Sequence, residues 1–550
     1  MQLKCNFKER FFKNPLGDLT GGLMAAIVAL PLCLAFGVAS GLGAASGLYG
    51  AIALGVLAAL FGGTAGQCSG PTGPMTVVAA ALVSTNPNRP ELVFASVIAA
   101  GAIQIAMGYA KAGQLIGYMP YPVISGFMTG IGAIIISIEI APLFGLPSSG
   151  NVLSALQSIT YVPSHANLHA VLIGTLSIAI IYLLPLISRR IPASLVALAM
   201  ATWISLAFKM DLPRIGEIPS TLPVPGFPSI NITDLHLVLQ NGLTLAVLGS
   251  IDSLLTSLVL DKVNKGRHNS DQELIGQGIG NMAAGMISGL PGAGATMRSM
   301  VNVKSGGTTA LSGAIHGLIL LAVLLCMTKI AALIPLSSLA AILFSVGLSI
   351  MDWRILRGLR TTPRSDTFVM CVVLVLTIFV DLIVAVLAGV ALASVLFVRQ
   401  LADSKFSSIT NLDTLEELKD TADHVPEDVR RHTYSYVLNG PLFFGQAKNL
   451  TDAIDHLSNA KYVILRFSNV PLIDQTGAFA LESAIEKWEA GGTKVLFVGL
   501  QPRIIKTLED TGAQINMDNS FEQFEKAIEA IAHFEAKSPY TSDGESNFQL

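Results

Sequence analysis

Charge is the property that this sequence has least of. Of its 550 residues, 13% are charged and 52% are hydrophobic, and the formal net charge is −3. An ordinary soluble domain carries about 25% charged residues, so the composition argues against one. The near-neutral balance excludes a nucleic-acid-binding protein, which would present a basic face. The five cysteines have no paired spacing, which excludes a disulfide scaffold and a zinc module.

Catalytic and nucleotide-binding signatures are also missing. The sequence contains neither a Gly-x-Ser-x-Gly nucleophile motif nor a Gly-x-x-x-x-Gly-Lys-Ser/Thr phosphate loop. We therefore expect neither enzyme activity nor ATP-driven transport from this chain.

The few charged residues are distributed unevenly. Residues 1–400 contain 35 of them and residues 401–550 contain 36, and none lies between residues 19 and 88. Because one membrane crossing needs about 20 apolar residues, the first 400 residues predict 12 to 14 spans. After the first charge-free stretch, the apolar runs are 92–110, 117–145, 170–188, 191–208, 242–260, 274–294, 309–328, 330–351 and 367–398.

The basic residues predict the orientation of these spans. They cluster before the first span (residues 4–13), at 189–190, at 262–267, at 354–364 and at Arg399. Cytoplasmic loops carry the excess of Lys and Arg, so both termini are predicted to be cytoplasmic. All five positions are consistent with 14 spans in a bacterial inner membrane.

Two Gly- and Pro-rich interruptions fall inside apolar segments, one in each half of the chain. They are residues 69–74 (SGPTGP) and 289–294 (GLPGAG), and each precedes a predicted helix start. Paired interruptions are typical of a transport site between inverted repeats. Two converging helix N-termini would offer free backbone N–H groups to an anion. The alternative interpretation is that these are packing glycines and kinks.

Ionisable residues within the spans are functional candidates because charge is costly in lipid. Asp252 and Thr256 lie four residues apart, hence on one helical face, and would hold Na⁺ or take up a proton. Asp252 pairing with a neighbouring helix end is the alternative. Arg298 follows the second interruption, where it either faces an anion or bridges two helices. Three weaker candidates, each with a structural explanation, are Glu139, Asp381 and His316.

The charged tail predicts a separate small α/β domain. Residues 401–430 are acidic and poor in apolar residues, which indicates a linker, and we expect the domain at 431–537 and a flexible tail at 538–550. A turn at 474–477 (DQTG) is explained locally by helix capping. The predicted strands are 434–438, 462–467 and 494–498, and the predicted helices are 447–456, 477–488, 502–511 and 521–536.

Several motifs together resemble one known family. The chain resembles the sulfate permease (SulP) anion transporters that carry a C-terminal STAS domain, and within them it is most similar to the BicA-type sodium-dependent bicarbonate transporters. The motifs are 29–31 (ALP), 34–37 (LAFG), 71–76 (PTGPMT), 275–281 (IGQGIGN), 294–296 (GAT), 380–386 (VDLIVAV) and 474–477 (DQTG), with 195–198 (LVAL) and 214–218 (RIGEI) for the bicarbonate branch.

The resemblance implies a fold of 14 spans in 7+7 inverted repeats with two half-helices. It also implies a core domain that moves against a gate domain, and a homodimer supported by the cytosolic STAS domains. The loop with Thr476 resembles the STAS loop that is phosphorylated on a Ser or Thr in anti-sigma-factor antagonists, which implies a regulatory site at Thr476 and a regulatory protein as a partner of the STAS domain. The implied Na⁺ ligands are Asp252, Thr256, Gly294, Ala295 and Thr296, and the implied anion-binding residues are Thr72, Ala295, Thr296 and Arg298.

The sequence is therefore compatible with three functions. The first is Na⁺-coupled uptake of bicarbonate. The second is proton symport or exchange of sulfate or another small anion, because Arg298 stands where many sulfate, chloride and oxalate carriers have a basic residue. The third is a membrane-anchored STAS signalling protein, against which the paired interruptions argue because an anchor needs none. In each case the partners include membrane lipid and exclude nucleic acid.

Overall fold

The computed structural model describes residues 13–114, 119–147, 152–160, 162–188, 191–357, 363–380, 382–403, 407–414, 425–443, 460–513, 515 and 518–536. The chain divides into two compact units, Met1–Ala393 and Ser394–Leu550.

The first unit consists of helices around one very short sheet. Its two strands are β1 (Ser69–Pro71) and β2 (Gly292–Gly294), which pair antiparallel. Its longer helices, the last of which extends past the unit boundary, are α1 (Pro15–Ala39), α2 (Ala44–Phe61), α3 (Gly73–Thr85), α4 (Glu91–Tyr109), α5 (Tyr121–Leu143), α6 (Leu168–Ile187), α7 (Ala193–Ala207), α8 (Leu235–Asn264), α9 (Ser270–Met286), α10 (Thr296–Lys304), α11 (Ala310–Cys326), α12 (Leu336–Ile350), α13 (Arg364–Phe379) and α14 (Leu382–Asp403).

Several helices of this unit have the length and the apolar composition of membrane-spanning segments. Within the described part of the chain, seven helices are long and apolar enough to cross a bilayer, and four shorter apolar helices accompany them. α3 and α10 are short, and each follows one of the two strands. The predicted total of 14 spans stays a prediction. Short helices occupy Val152–Ile159, Val162–His165, Thr328–Ala331 and Trp353–Arg357, and a 3₁₀ turn occupies Ile232–Asp234.

Pro and Gly act differently in different apolar segments. Pro31 lies inside α1, which stays helical on both sides of it, so this proline does not create a third interruption. The apolar run 274–294 is not one span, because α9 ends at Met286 and β2 follows. The run 367–398 is divided at Val380 between α13 and α14, and Asp381 lies outside the described residues.

The second unit is the predicted α/β domain. One sheet in the order β3-β4-β5-β6-β7 has an antiparallel β3–β4 pair and parallel pairs elsewhere. Helices cover both faces, as parallel strands require. The elements are β3 (Ser407–Asn411), β4 (Thr433–Asn439), β5 (Tyr462–Asn469), α15 (Gln475–Ala490), β6 (Lys494–Val498), α16 (Pro502–Thr511), β7 (Ser520–Phe521) and α17 (Phe524–Ala536), with short helical turns at Glu427–Arg431 and Leu412–Thr414.

Part of the predicted linker 401–430 belongs to this sheet. β3 pairs with β4 over its whole length, and Leu412, Val425 and Val429 are buried in the core. β3 has the sequence SSITN, which lacks an apolar alternation because an edge strand is held mainly by backbone hydrogen bonds. The predicted helix 447–456 and tail 538–550 lie outside the described residues.

Candidate ion-binding site

The two predicted interruptions meet at one point in the first unit. β1 and β2 pair in the register Ser69↔Gly294 and Pro71↔Gly292. A helix begins just beyond each strand, α3 at Gly73 and α10 at Thr296. Because the strands are antiparallel, the two helices leave the crossing in opposite directions. Both helix N-termini, with their free N–H groups and positive dipole ends, therefore face one region.

Neighbouring helices satisfy the backbone of the crossing. The Asn281 side chain donates to the Gly292 carbonyl (3.0 Å) and accepts from the Gly292 N–H (2.9 Å). The Ser253 hydroxyl accepts from the Gly294 N–H at 3.0 Å. The N–H of Ala295 donates to the Cys68 carbonyl at 3.0 Å. Non-helical backbone is tolerated at membrane depth when protein groups satisfy it in this way.

Arg298 is held at the crossing by the other half of the chain. Its side chain is 1% exposed, and its guanidinium donates to the Pro71 carbonyl and contacts the Cys33 thiol at 3.6 Å. Its Nε has no hydrogen-bond partner among the described residues. A Cβ at Gly70 would lie 2.7 Å from the guanidinium, so this glycine makes room for the arginine. Of the two predicted roles, Arg298 performs the bridging one and keeps a donor free.

A cavity of about 270 Å³ opens at this place. Apolar side chains of α1, α5 and α12 form one wall, including Phe36. The opposite wall carries the polar groups named from the sequence, which are Thr72, Asp252, Ala295, Thr296 and Arg298. Thr72 lies close to Asp252, yet its hydroxyl makes no well-formed hydrogen bond to the described residues. Unpartnered buried Thr72 and Arg298 groups are available to a bound ligand.

Three of the predicted cation ligands, Thr256, Gly294 and Thr296, form an oxygen cluster beside this cavity. The Thr256 hydroxyl lies 2.9 Å from the Gly294 carbonyl oxygen and 2.7 Å from the Thr296 hydroxyl. Asp252 is one turn earlier on α8 and lines the cavity. Carboxylate, hydroxyl and carbonyl oxygens are the donors that hard cations prefer, so these residues fit Na⁺. Within the described residues, no group of three or more His, Cys, Asp or Glu offers a transition-metal alternative.

A buried carboxylate that the sequence analysis overlooked supports the crossing. Glu273, 1% exposed, accepts from Gln67 (2.8 Å), Gln277 (2.7 Å) and the Gly63 N–H (2.9 Å). Gln67 also accepts from Ser257 at 3.0 Å, the residue after Thr256. This network ties α9 and the segment before β1 to the helix that carries Asp252.

Five other residues, two candidates within the spans among them, lie outside the oxygen cluster. Asp18, also overlooked, accepts from the Thr309 hydroxyl at 2.7 Å and from its N–H at 3.0 Å, which fixes α1 to the start of α11. His316 is buried on α11, but neither ring nitrogen has a well-formed hydrogen bond to the described residues, so the structure does not show the satisfied histidine that was expected. Glu139 is buried on α5, away from the oxygen cluster. In the second unit, Asp474 caps α15 by accepting from the Gly477 N–H at 2.7 Å, and Thr476 is exposed in the first turn.

Comparison with known families gives two matches. Residues 16–373 match the sulfate permease family, and residues 425–527 match the STAS domain. The bicarbonate transporter BicA of Synechocystis sp. (strain ATCC 27184 / PCC 6803 / Kazusa) is 40% identical over 510 residues, covering 90% of each protein. The putative sulfate transporter YvdB of Bacillus subtilis (strain 168) is 30% identical, covering 93% of this chain and 96% of that protein.

Solved structures agree with this match. The transmembrane domain of a cyanobacterium bicarbonate transporter BicA has a TM-score of 0.64 and 45% identity, covering 68% of this chain and 98% of that one. Murine solute carrier 26 family member A9, an anion transporter, has a TM-score of 0.82 over 96% of this chain and 93% of that one. Its identity is 20%, so it supports the fold alone.

Proposed function

Since this chain belongs to the sulfate permease family of multi-pass anion transporters and is not an enzyme, we propose that it couples bicarbonate uptake to Na⁺. The anion occupies the cavity between the N-termini of α3 and α10, where Thr72, the backbone of Ala295 and Thr296, and Arg298 contact it. Na⁺ occupies the adjacent oxygen cluster of Asp252, Thr256, Gly294, Ala295 and Thr296.

One observation carries this proposal. A single cavity is bordered both by positive groups, namely two helix N-termini and Arg298, and by the carboxylate of Asp252. An anion that enters alone meets the negative charge of Asp252 at short range, where screening by water is weak. A cation beside Asp252 removes that repulsion. Binding of either ion then favours binding of the other, which is the thermodynamic requirement for coupling.

The names of the relatives support bicarbonate as the substrate. Two BicA bicarbonate transporters are 40% and 38% identical to this chain over 90% of its length. The putative sulfate transporters matched are 30% and 29% identical. Arg298 supports the second candidate, a sulfate carrier driven by protons or by exchange, because a buried guanidinium suits a divalent anion.

Uptake into membrane vesicles separates the two candidates. We expect radiolabelled bicarbonate to accumulate when Na⁺ is present outside and to stay near background when choline replaces it. Sulfate flux that needs no Na⁺, together with absent bicarbonate flux in the same vesicles, would refute the proposal. Vesicles without the transporter supply the background.

Thr476 is proposed as a regulatory site. It is exposed and lies next to the free N–H groups of α15, where a phosphate group would be stabilised. We expect Thr476→Glu to change the uptake rate and Thr476→Val to leave it unchanged. Equal rates would leave Thr476 as an ordinary residue of the helix start. The homodimer through STAS domains, the STAS partner protein and the cytoplasmic termini in a bacterial inner membrane remain proposals carried over from the sequence.

A further inference from the structure

Glu139 is a buried carboxyl group that the proposed ion site does not use. It lies on α5, is 4% exposed, and borders a second cavity of about 20 Å³. The other groups lining this cavity are apolar side chains of α1, α3, α5 and α12 and the Thr76 side chain. The Thr76 hydroxyl is already engaged, since it donates to the Thr72 carbonyl at 2.8 Å.

The second cavity continues the ion-binding cavity along the same four helices. Phe36 of α1 lines both. On α3 the lining moves from Thr72 at the crossing to Ala80, two turns further along the helix. On α5 it moves from Met128 to Glu139, and on α12 it moves backwards along the chain from Ser349 to Leu343. Glu139 therefore lies at the interface between the α1–α3 pair and the α5–α12 pair, which we call the seam. It is near the membrane surface at which α1 ends.

This part of the seam is nearly closed, and little water reaches the carboxyl group, since Glu139 is 4% exposed. A volume of about 20 Å³ holds a single water molecule, too few to hydrate a carboxylate. Among the described residues, Glu139 has neither an ion-pair partner nor a hydrogen bond. Moving an unpaired carboxylate out of water costs several kcal/mol, so a closed seam requires the neutral acid.

Titratable groups on the surrounding helices do not supply a counter-charge. α3 and α12 have no ionisable side chains. On α1, Asp18 is bound to Thr309 and Cys33 faces Arg298. The titratable groups of α13 are Arg364, Asp366 and Cys371. They lie in the first half of that helix, and only its second half reaches the side of the membrane on which Glu139 lies. The titratable groups of α6, His169 and Tyr182, are exposed.

We propose that Glu139 is a proton-binding site that controls opening of the transporter toward the side where α1 ends. The proton is bound while the seam is closed. When α5 and α12 separate from α1 and α3, water reaches Glu139, and the carboxyl group releases its proton to that side. High pH there favours the open state and low pH favours the closed one. The inference rests on the proposed transport function but not on the identity of the anion or of the coupling ion.

Cysteine accessibility tests the proposal in the full-length protein. Ala80 lines the closed cavity and is 4% exposed, so Ala80→Cys reports its opening. Right-side-out vesicles are treated with a membrane-impermeant maleimide at external pH values from about 6 to 8.5, and the protein without Ala80→Cys gives the background. Ser220→Cys, in an exposed loop that the predicted topology places outside, verifies the sidedness.

A maleimide reacts with the thiolate, whose fraction itself rises with pH, so the Ala80→Cys rate is divided by the Ser220→Cys rate at each pH. We expect this ratio to rise about tenfold over the range, since release of one proton changes the open–closed ratio by up to tenfold per pH unit. Glu139→Gln is expected to give a low ratio at every pH. Glu139→Asp is expected to keep the rise. The matched control Glu217→Gln, which removes an exposed carboxylate, is expected to behave as the unmodified protein.

A rise in this ratio that persists in Glu139→Gln would overturn the proposal, and so would a pH-independent ratio in the protein that retains Glu139. If Glu139→Gln does not elute as a single folded species, the Glu139→Asp result decides, because loss of the pH rise there contradicts a titrating carboxyl group. Failure of the Na⁺–bicarbonate proposal would be seen in uptake and would leave the labelling result intact.

Discussion

The two interrupted segments share a backbone design but not a chemistry. Each has a three-residue strand followed by a helix start. The first, at β1 and α3, offers the cavity backbone groups and the Thr72 hydroxyl, without any charge. The second, at β2 and α10, places the Arg298 charge at the cavity and lies against Asp252. A repeated backbone thus creates the pocket, and the side chains that differ between the two segments give it groups of both charges.

The largest effect is expected where the two strands touch. A Cβ at Gly292 would lie 2.3 Å from the Gly70 carbonyl oxygen, whereas a Cβ at Gly70 would meet the flexible end of Arg298 at 2.7 Å. We expect Gly292→Ala to prevent a stable crossing, seen as loss of monodisperse protein on size exclusion. Gly70→Ala also strains the backbone, since Gly70 has a φ of +159°, but it meets no carbonyl oxygen, so it should lose less folded protein and bind anion more weakly. Equal folding of both variants would show that the strands are not rigidly apposed.

The second-largest effect on transport is expected for Asp252→Asn. The amide lacks the charge that holds a cation, so Na⁺-dependent uptake should fall at least about 100-fold, since even indirect support of a metal ligand is worth about 10- to 100-fold. Scintillation counting of vesicle uptake measures the loss. Glu217→Gln, an exposed carboxylate outside the site, is the control. Unchanged Na⁺ dependence would remove Asp252 from the site and leave Arg298 as the difference between the two segments.

Arg298→Lys separates charge from geometry. Lysine keeps the charge but offers no planar fork to span the Pro71 carbonyl and an anion. We expect the apparent anion affinity to fall about 10-fold in Arg298→Lys and about 100-fold in Arg298→Met, as lost bonds to charged groups are worth about 1.5–3 kcal/mol. Anion concentration series at saturating Na⁺ give both values. An affinity that neither variant changes would contradict contact between Arg298 and the anion.

The smallest effects are expected from the hydroxyl groups. Thr72→Val should raise the anion concentration for half-maximal uptake about 3- to 10-fold, because one hydrogen bond contributes about 0.5–1.5 kcal/mol. Thr296→Val should instead raise the half-maximal Na⁺ concentration by a similar factor. Thr76→Val is a matched control, since among the described residues its hydroxyl donates to the backbone carbonyl of Thr72 one turn earlier and not to the cavity. Identical shifts in both variants would mean that the two segments share one function.

The sequence predicted the site best where local rules decide the structure. Gly and Pro mark the two interruptions because few other residues adopt such backbone, and the spacing of Asp252 and Thr256 places them on one helical face. Glu273 escaped notice because its partners, Gln67 and Gln277, are uncharged and come partly from a distant segment. Likewise, β3 has no apolar pattern, since only its pairing with β4 makes it a strand.

The pairing of β1 with β2 also bears on how the protein is made. The ribosome adds 227 residues between Pro71 and Arg298, which takes roughly 10 to 50 s at the usual rate of synthesis. During that time the N–H and C=O groups of β1 have no strand to bind, and lipid offers them no substitute. The first half must therefore wait in contact with water, the insertion machinery or a chaperone. A chain that stops before Gly292 should be recognised as defective and degraded.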